Sequence, residues 1–261
     1  MAFLHHFYFL IFALCILYVK STDPSAQVCN ENSKNTTTKI TNNINSLLTK
    51  LVQTTSLSGY SATSYGTGQA QVFGLAQCRQ DVSTEDCSTC IQEASKEIRN
   101  ICPNNVDARI WYEYCFLRYN TENFIGQLDT GYGTFYANVE NVTDPNTFNE
   151  KLGALMNQIS SSASTPGSKG IGKGETELTP FVTLYALVQC TQDLSPLLCR
   201  QCLAIAEGVF ETFCDEKKGC RVIYSSCYVR YELYPFFFPL DKKLALESSS
   251  IKNCSSYVTK P

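Results

Sequence analysis

Two stretches, TTKITNNINSLLTKLVQ at 37–53 and PNTFNEKLGALMNQIS at 145–160, carry apolar residues at three- and four-residue steps, the signature of a helix with one buried face. Each is followed by a Ser/Gly/Thr-rich stretch, 54–69 and 160–177, that reads as loop. A second helix in each half is expected to start after Ser83 or Ser195, N-cap residues ahead of Glu85 and Pro196, and to run to about Asn100 or Phe213. Beyond it, DARIWYEYCFLRY and GCRVIYSSCYVRYELY alternate and are rich in aromatic and β-branched residues, which predicts strands. Helix and strand segregate, so the expected class is α+β: two tandem disulfide-rich domains, each with two helices packed on an antiparallel β-sheet.

The two halves are one unit written twice. Adding 112 to Cys78, Cys87, Cys90, Cys102 and Cys115 gives Cys190, Cys199, Cys202, Cys214 and Cys227, and Asp81, Arg109, Arg118 and Tyr119 return as Asp193, Arg221, Arg230 and Tyr231. A repeat in a chain of 261 residues divides it into two small domains, expected at 27–135 and 136–254. Residues 3–19, FLHHFYFLIFALCILYV, form a continuous apolar run followed by the small-residue stretch STDPSAQ, so 1–26 is expected to be a signal peptide cleaved between Ser21 and Ala26. No second apolar run follows, which predicts a secreted mature protein without a membrane span.

Charge and composition then narrow the chemistry. A net charge of -3 without a basic stripe argues against nucleic acid, whose phosphates demand clustered Lys and Arg. Both histidines, His5 and His6, fall in the leader, which removes imidazole acid–base chemistry, Ser-His and Cys-His nucleophiles and His-ligated metals from the mature chain. The sequons at Asn35, Asn141 and Asn253 are candidate glycosylation sites, consistent with the secretory route.

Cys87 and Cys90 share a helix face, as do Cys199 and Cys202, so metal and redox readings both have to be weighed. An oxidising compartment favours pairing, and no βαβ pattern precedes either C-x-x-C, so neither a metal nor another cofactor is expected. Six cysteines per domain allow fifteen pairings, and spacing alone does not choose among them.

The frame C-x8-C-x2-C-x11-C-x12-C, with QVFGLAQCRQDVS leading in and IWYEYCFLRY and YVRYELYPF closing, resembles the plant ginkbilobin-homologous, salt-stress/antifungal domain over about residues 27–240. Two such domains after a leader resemble the cysteine-rich repeat secretory proteins. The resemblance implies bonds Cys29–Cys102, Cys78–Cys87, Cys90–Cys115, Cys190–Cys199 and Cys202–Cys227. It leaves Cys214, Cys220 and Cys254 competing for one bond, because no cysteine stands near 141, where the equivalent of Cys29 is expected. Thirteen cysteines remain after leader removal, and the odd one implies a free thiol or an intermolecular bridge, hence a homodimer as one expectation.

The resemblance also implies a mannose site made from an Asn, an Arg and a Glu. The first domain offers Asn30, Arg109 and Asn120, an amide replacing the carboxylate; the second offers Arg221 and Glu232 without the Cys-Asn start. For catalysis the best candidates are Asp81 and Asp193, yet no second acidic residue recurs with them, so no enzyme and no catalytic residue is expected. Two readings follow: a secreted defence or stress-response lectin for mannose-type glycans, or an extracellular module that pairs with receptor ectodomains or with itself.

Overall fold

A computed structural model describes residues 23–33, 36–238 and 257–259 of the chain. Residues 1–22 of the expected leader, Asn35, Asn253 and Cys254 lie outside the described residues. Among those described, no helix is long and apolar enough to cross a membrane.

Each domain opens with a short strand and a long helix: β1 (Ala26–Cys29) and α1 (Thr38–Ser58) in the first, β6 (Gly133–Asn138) and α3 (Pro145–Ala163) in the second. α1 is capped by the Thr37 hydroxyl, which accepts from the Ile40 N–H at 3.2 Å, and it stops at Gly59, whose left-handed backbone (φ 77°) only glycine adopts without cost. Ile44, Leu47, Leu48, Leu51 and Thr55 form its buried stripe, and the buried face of α3 repeats the spacing from Phe148 to Ala163.

The Ser/Gly-rich stretches are not loops throughout. They hold the edge strands β2 (Tyr60–Tyr65) and β7 (Ile171–Thr179), each zipped to the next strand, β3 (Val72–Cys78) or β8 (Val182–Cys190). YSATSY and IGKGETELT alternate with period two, but one face meets water, and their small and hydroxylated residues mask the strand pattern. The second helices, α2 (Thr84–Ile101) and α4 (Pro196–Phe213), start from Ser83 and Ser195, whose hydroxyls accept from the N–H of Asp86 and Leu198. The hairpins β4 (Ala108–Trp111) with β5 (Cys115–Asn120), and β9 (Cys220–Tyr224) with β10 (Cys227–Glu232), complete the units.

Both sheets are antiparallel with one strand order, β1-β4-β5-β3-β2 and β6-β9-β10-β8-β7, and β11 (Tyr257–Thr259) adds to the edge of β6. The strand that opens the second sheet begins at Gly133, ahead of the expected 135/136 division. One face of each sheet carries its helix pair and an apolar core. The opposite faces meet in a third cluster, in which Leu75, Trp111, Phe116 and Phe124 of the first domain join Ile223, Tyr136 and Tyr228 of the second. Trp111 is 4% exposed there, stacked on Phe116 at 5.0 Å, and its indole N–H donates to the Tyr224 carbonyl at 3.2 Å.

Among the described residues six disulfides are formed: Cys29–Cys102, Cys78–Cys87, Cys90–Cys115, Cys190–Cys199, Cys202–Cys227 and Cys214–Cys220. The equivalent of Cys29 is not near 141. Cys29 pairs in register with Ala108, and the matching register pair of the second sheet is Ala137 with Cys220. Cysteine and alanine have changed places across the same two strands, while the bond still runs to the cysteine that ends the second helix, Cys102 or Cys214. The upstream part of the repeat is therefore offset by 108, not 112, Ala137 answering Cys29. The extra four residues of the second domain are taken up between its first helix and β8.

Candidate functional site

The residues expected to bind sugar sit on the sheet faces that look away from the helices, beside the domain junction. In the first domain the backbone N–H of Asn30 donates to the Asp107 carbonyl (3.1 Å), its side-chain amide donates to the Asp107 carboxylate (2.9 Å), and its Oδ1 accepts the Asn32 N–H (3.1 Å). Arg109 is 2% exposed. It is ion-paired to Asp107 at 3.2 Å and to Asp129 at 3.1 Å, and the Tyr132 ring lies 4.1 Å from its guanidinium carbon. Arg118 shares Asp129 at 3.0 Å and lies over Phe124. Burial, with the Arg109 cation next, brings the Arg118 pKa down to about 10. Asn120 accepts the Glu122 N–H at 3.1 Å; the carboxylate beside Asn30 and Arg109 is Asp107, which the sequence reading passed over.

Corrected to an offset of 108, the second domain does have the asparagine: Asn138 follows Ala137 as Asn30 follows Cys29. Its N–H donates to the Gly219 carbonyl (2.8 Å), and its Oδ1 accepts the Glu140 N–H (2.9 Å), reproducing the Asn30 turn. Gly219 stands at the place of Asp107 and Glu232 at that of Asn120. A Cβ on Gly219 would lie 2.0 Å from Glu232 Oε2, so the carboxylate fills the space that a side chain at 219 would need. Each domain thus has one carboxylate at this register pair, supplied from opposite strands. Glu232 is 0% exposed and accepts from Arg230 Nε at 2.9 Å.

Arg221, with 15% of its side chain exposed, and Arg230 both reach across to Glu113 in the β4–β5 turn, at 2.8 and 2.7 Å, and Arg79 joins them at 3.1 Å. Burial would raise the Glu113 pKa, but three guanidinium groups override it and hold the carboxyl below its usual range. The recurrent carboxylates Asp81 and Asp193 are spent on the same junction. Asp81 grips Arg79 with both oxygens and accepts the Phe238 N–H at 2.7 Å, and Asp193 accepts the Gly126 N–H at 2.8 Å. Each therefore anchors the segment that leaves the other domain, Asp81 the one that ends at Phe238 and Asp193 the one that holds Gly126. The residues missed by sequence reasoning had a signal: Gln77 and Gln189, Arg118 and Arg230 recur at the repeat spacing, and Asp129 returns as Asp241, whereas Asp107 and Glu113 do not recur and gave none.

Two copies of a disulfide-framed helix-and-sheet unit, joined by the bare faces of their sheets and by crossed tails, define a tandem cysteine-rich module. The family model described as salt stress response/antifungal matches residues 28–122 and again 136–234, and the chain belongs to that family. It is 55% identical to cysteine-rich repeat secretory protein 55 of Arabidopsis thaliana over 89% of this chain and 90% of that protein. It is 39% identical to an antimicrobial ginkbilobin-2-like protein of Castanea crenata over 87% and 95% of the two chains. Among solved structures, the tandem DUF26 ectodomain of the Arabidopsis thaliana cysteine-rich receptor-like protein PDLP8 superimposes with a TM-score of 0.70 at 29% identity, covering 81% of this chain and 98% of that one.

Proposed function

We propose that the chain is a secreted, non-catalytic recognition module of the apoplast that binds protein partners, receptor ectodomains among them, rather than mannose. The observation that carries this reading is the fate of Arg109: 2% exposed, closed by Asp107 and Asp129, and covered by Tyr132, it has no open face for a sugar hydroxyl. Breaking a buried ion pair to admit a neutral ligand costs about 3–5 kcal/mol, more than a few sugar hydrogen bonds return. The relation to secretory proteins and to the ectodomain of a receptor-like protein supports the extracellular setting. The absence of catalysis is supported by the structural employment of Asp81 and Asp193, the best acidic candidates.

A second reading, mannose-type glycans in the second domain, is favoured by one observation: Asn138, Arg221 and Glu232 supply all three residue types there, and Arg221 is part-exposed. The complete burial of Glu232 weighs against it. Calorimetric titration of the disulfide-intact protein with mannose and mannan, beside an Arg221→Ala variant, separates the two. No heat from either protein, with folding verified by circular dichroism, is the expected result; saturable heat lost in the variant overturns the proposal in favour of a lectin.

A further inference from the structure

The helices of the second domain enclose a groove of about 450 Å³. Leu152 and Met156 of α3 and Phe210 of α4 form its floor with Tyr231. Two glycines open its walls: a Cβ on Gly153 or Gly208 would meet nothing within 4 Å. A glycine in mid-helix costs about 1 kcal/mol relative to alanine, and here no close packing requires it. By the repeat, the first domain has Asn45 and Lys96 at these places.

A third exchange gives the groove its chemistry. Where α4 has Glu211, α2 has Arg99. Arg99 lies over Tyr119, donating from Nη1 to the Tyr119 hydroxyl at 3.0 Å and the Cys102 carbonyl at 3.4 Å, and from Nη2 to the Pro103 carbonyl at 2.9 Å. Those carbonyls belong to the end of α2, where the helix leaves acceptors unsatisfied and concentrates partial negative charge. The second domain keeps the ring, as Tyr231, and the helix end at Cys214 and Asp215, but lacks the guanidinium. The Tyr231 hydroxyl lies within hydrogen-bond distance of the Lys217 carbonyl (3.2 Å), as Tyr119 does of the matching Asn105 carbonyl (3.3 Å), and it also reaches the Cys214 carbonyl (3.1 Å). Glu207, Glu211 and Asp215 line the rim. Burial pushes the Glu207 carboxyl up despite its 2.5 Å bond from the Ser160 hydroxyl, a cost that an arriving cation would offset.

We propose that this groove takes an arginine side chain of a partner protein, its guanidinium lying where that of Arg99 lies in the first domain. The proposal rests on the reading of the chain as a protein-recognition module. A guanidinium is planar and offers a fork of donors that can reach the helix-end oxygens and the rim carboxylates together; a lysine ammonium offers a point charge.

The test uses the ¹⁵N-labelled, disulfide-intact full chain titrated with N-acetyl-arginine methylamide and, separately, with N-acetyl-lysine methylamide. Saturable shifts of the Gly153 and Gly208 amides with the arginine compound are expected, with the lysine compound about ten-fold weaker or worse. Glu211→Arg should close the groove with its own guanidinium and abolish the shifts; Gly208→Lys provides a second closing variant should the first misfold. No shift at either glycine up to roughly tens of millimolar ligand, equal binding of the two compounds, or undiminished binding by well-folded closing variants overturns the proposal. Mannan titration addresses the underlying reading separately, because the sugar residues lie on the opposite side of the sheet from this groove.

Discussion

Gln77 and Gln189 stand in exchanged positions across the domain junction. The side-chain amide of Gln77 donates to the Cys190 carbonyl at 2.8 Å and that of Gln189 to the Cys78 carbonyl at 3.0 Å, while their Oε1 atoms accept the N–H of Gln192 and Gln80. One chain has thus built within itself the reciprocal contact of a two-fold dimer. The anchoring of Gly126 by Asp193 and of Phe238 by Asp81 repeats the same symmetry.

Truncating Gln77 removes the side-chain partner of the Cys190 carbonyl and of the Gln192 N–H; truncating Gln189 removes that of the Gln80 N–H and one of the two side-chain donors to the Cys78 carbonyl, the other being the Gln80 side-chain amide. Gln77→Ala and Gln189→Ala are each expected to cost about 2 kcal/mol in urea unfolding. The double variant should divide a single unfolding transition into two, resolved by calorimetry. A single transition of unchanged midpoint would mean that the apolar cluster around Trp111 alone fuses the domains.

Glu113 makes the junction acid-sensitive. Its folded-state pKa is depressed by Arg230, Arg221 and Arg79, so its contribution is present above the ordinary carboxylate pKa of about 4.3 and is lost as pH falls through the lower folded value. Thermal melts between pH 7 and pH 3 should show this loss on the acid limb. Glu113→Gln, expected to cost about 2 kcal/mol at neutral pH, should flatten that limb. Partial exposure of the side chain, 42%, and rising salt both reduce the effect.

How far the sequence carried follows from where its patterns were strong. The cysteine frame and the 3.6-residue stripes of α1 to α4 rest on one-sided burial, and burial writes a pattern. The edge strands β2 and β7 were hidden because Ser, Thr and Gly suit a half-wet edge as well as a loop. The mannose-type trio was legible as residue types but not as a state: an ion pair imposes no period on the sequence, so nothing in it marks Asp107 and Asp129 as the groups that saturate Arg109, or Glu113 as the one that reaches Arg221 across the junction. Asn138 was missed because the cysteine spacing gives an offset of 112, while β1 and α1 obey 108; the helical stripe at Ile44 and Leu152 already holds that second offset.

The exchange of Cys29/Ala108 for Ala137/Cys220 predicts a transplant. In a variant carrying Ala137→Cys and Cys220→Ala, Cys214 should bond to the new cysteine on β6, mapped by non-reduced peptide mass spectrometry. The existing bond joins residues separated by 6 in sequence, whereas the first domain's counterpart spans 73. Closing the longer loop removes more chain entropy, and the transplant should gain about 2 kcal/mol. A correctly bonded variant of lower stability would place the penalty in the folded state.

Arg99 supplies the last prediction, because it shows what the second domain's groove lacks. Its guanidinium satisfies the Cys102 and Pro103 carbonyls and the Tyr119 hydroxyl together, so Arg99→Ala is expected to cost about 1–2 kcal/mol, read by urea unfolding. Arg99→Lys should recover less than half of that, since one ammonium cannot reach three acceptors spread over a ring and a helix end in the fork's geometry. Full recovery by lysine would reduce the interaction to charge against the helix dipole, and an ammonium beside Glu211 would then serve as well as a guanidinium. A neutral Arg99→Ala would do more damage: it would mean that the uncapped helix end is adequately served by water, as it would then also be beside Gly153 and Gly208 in the second domain.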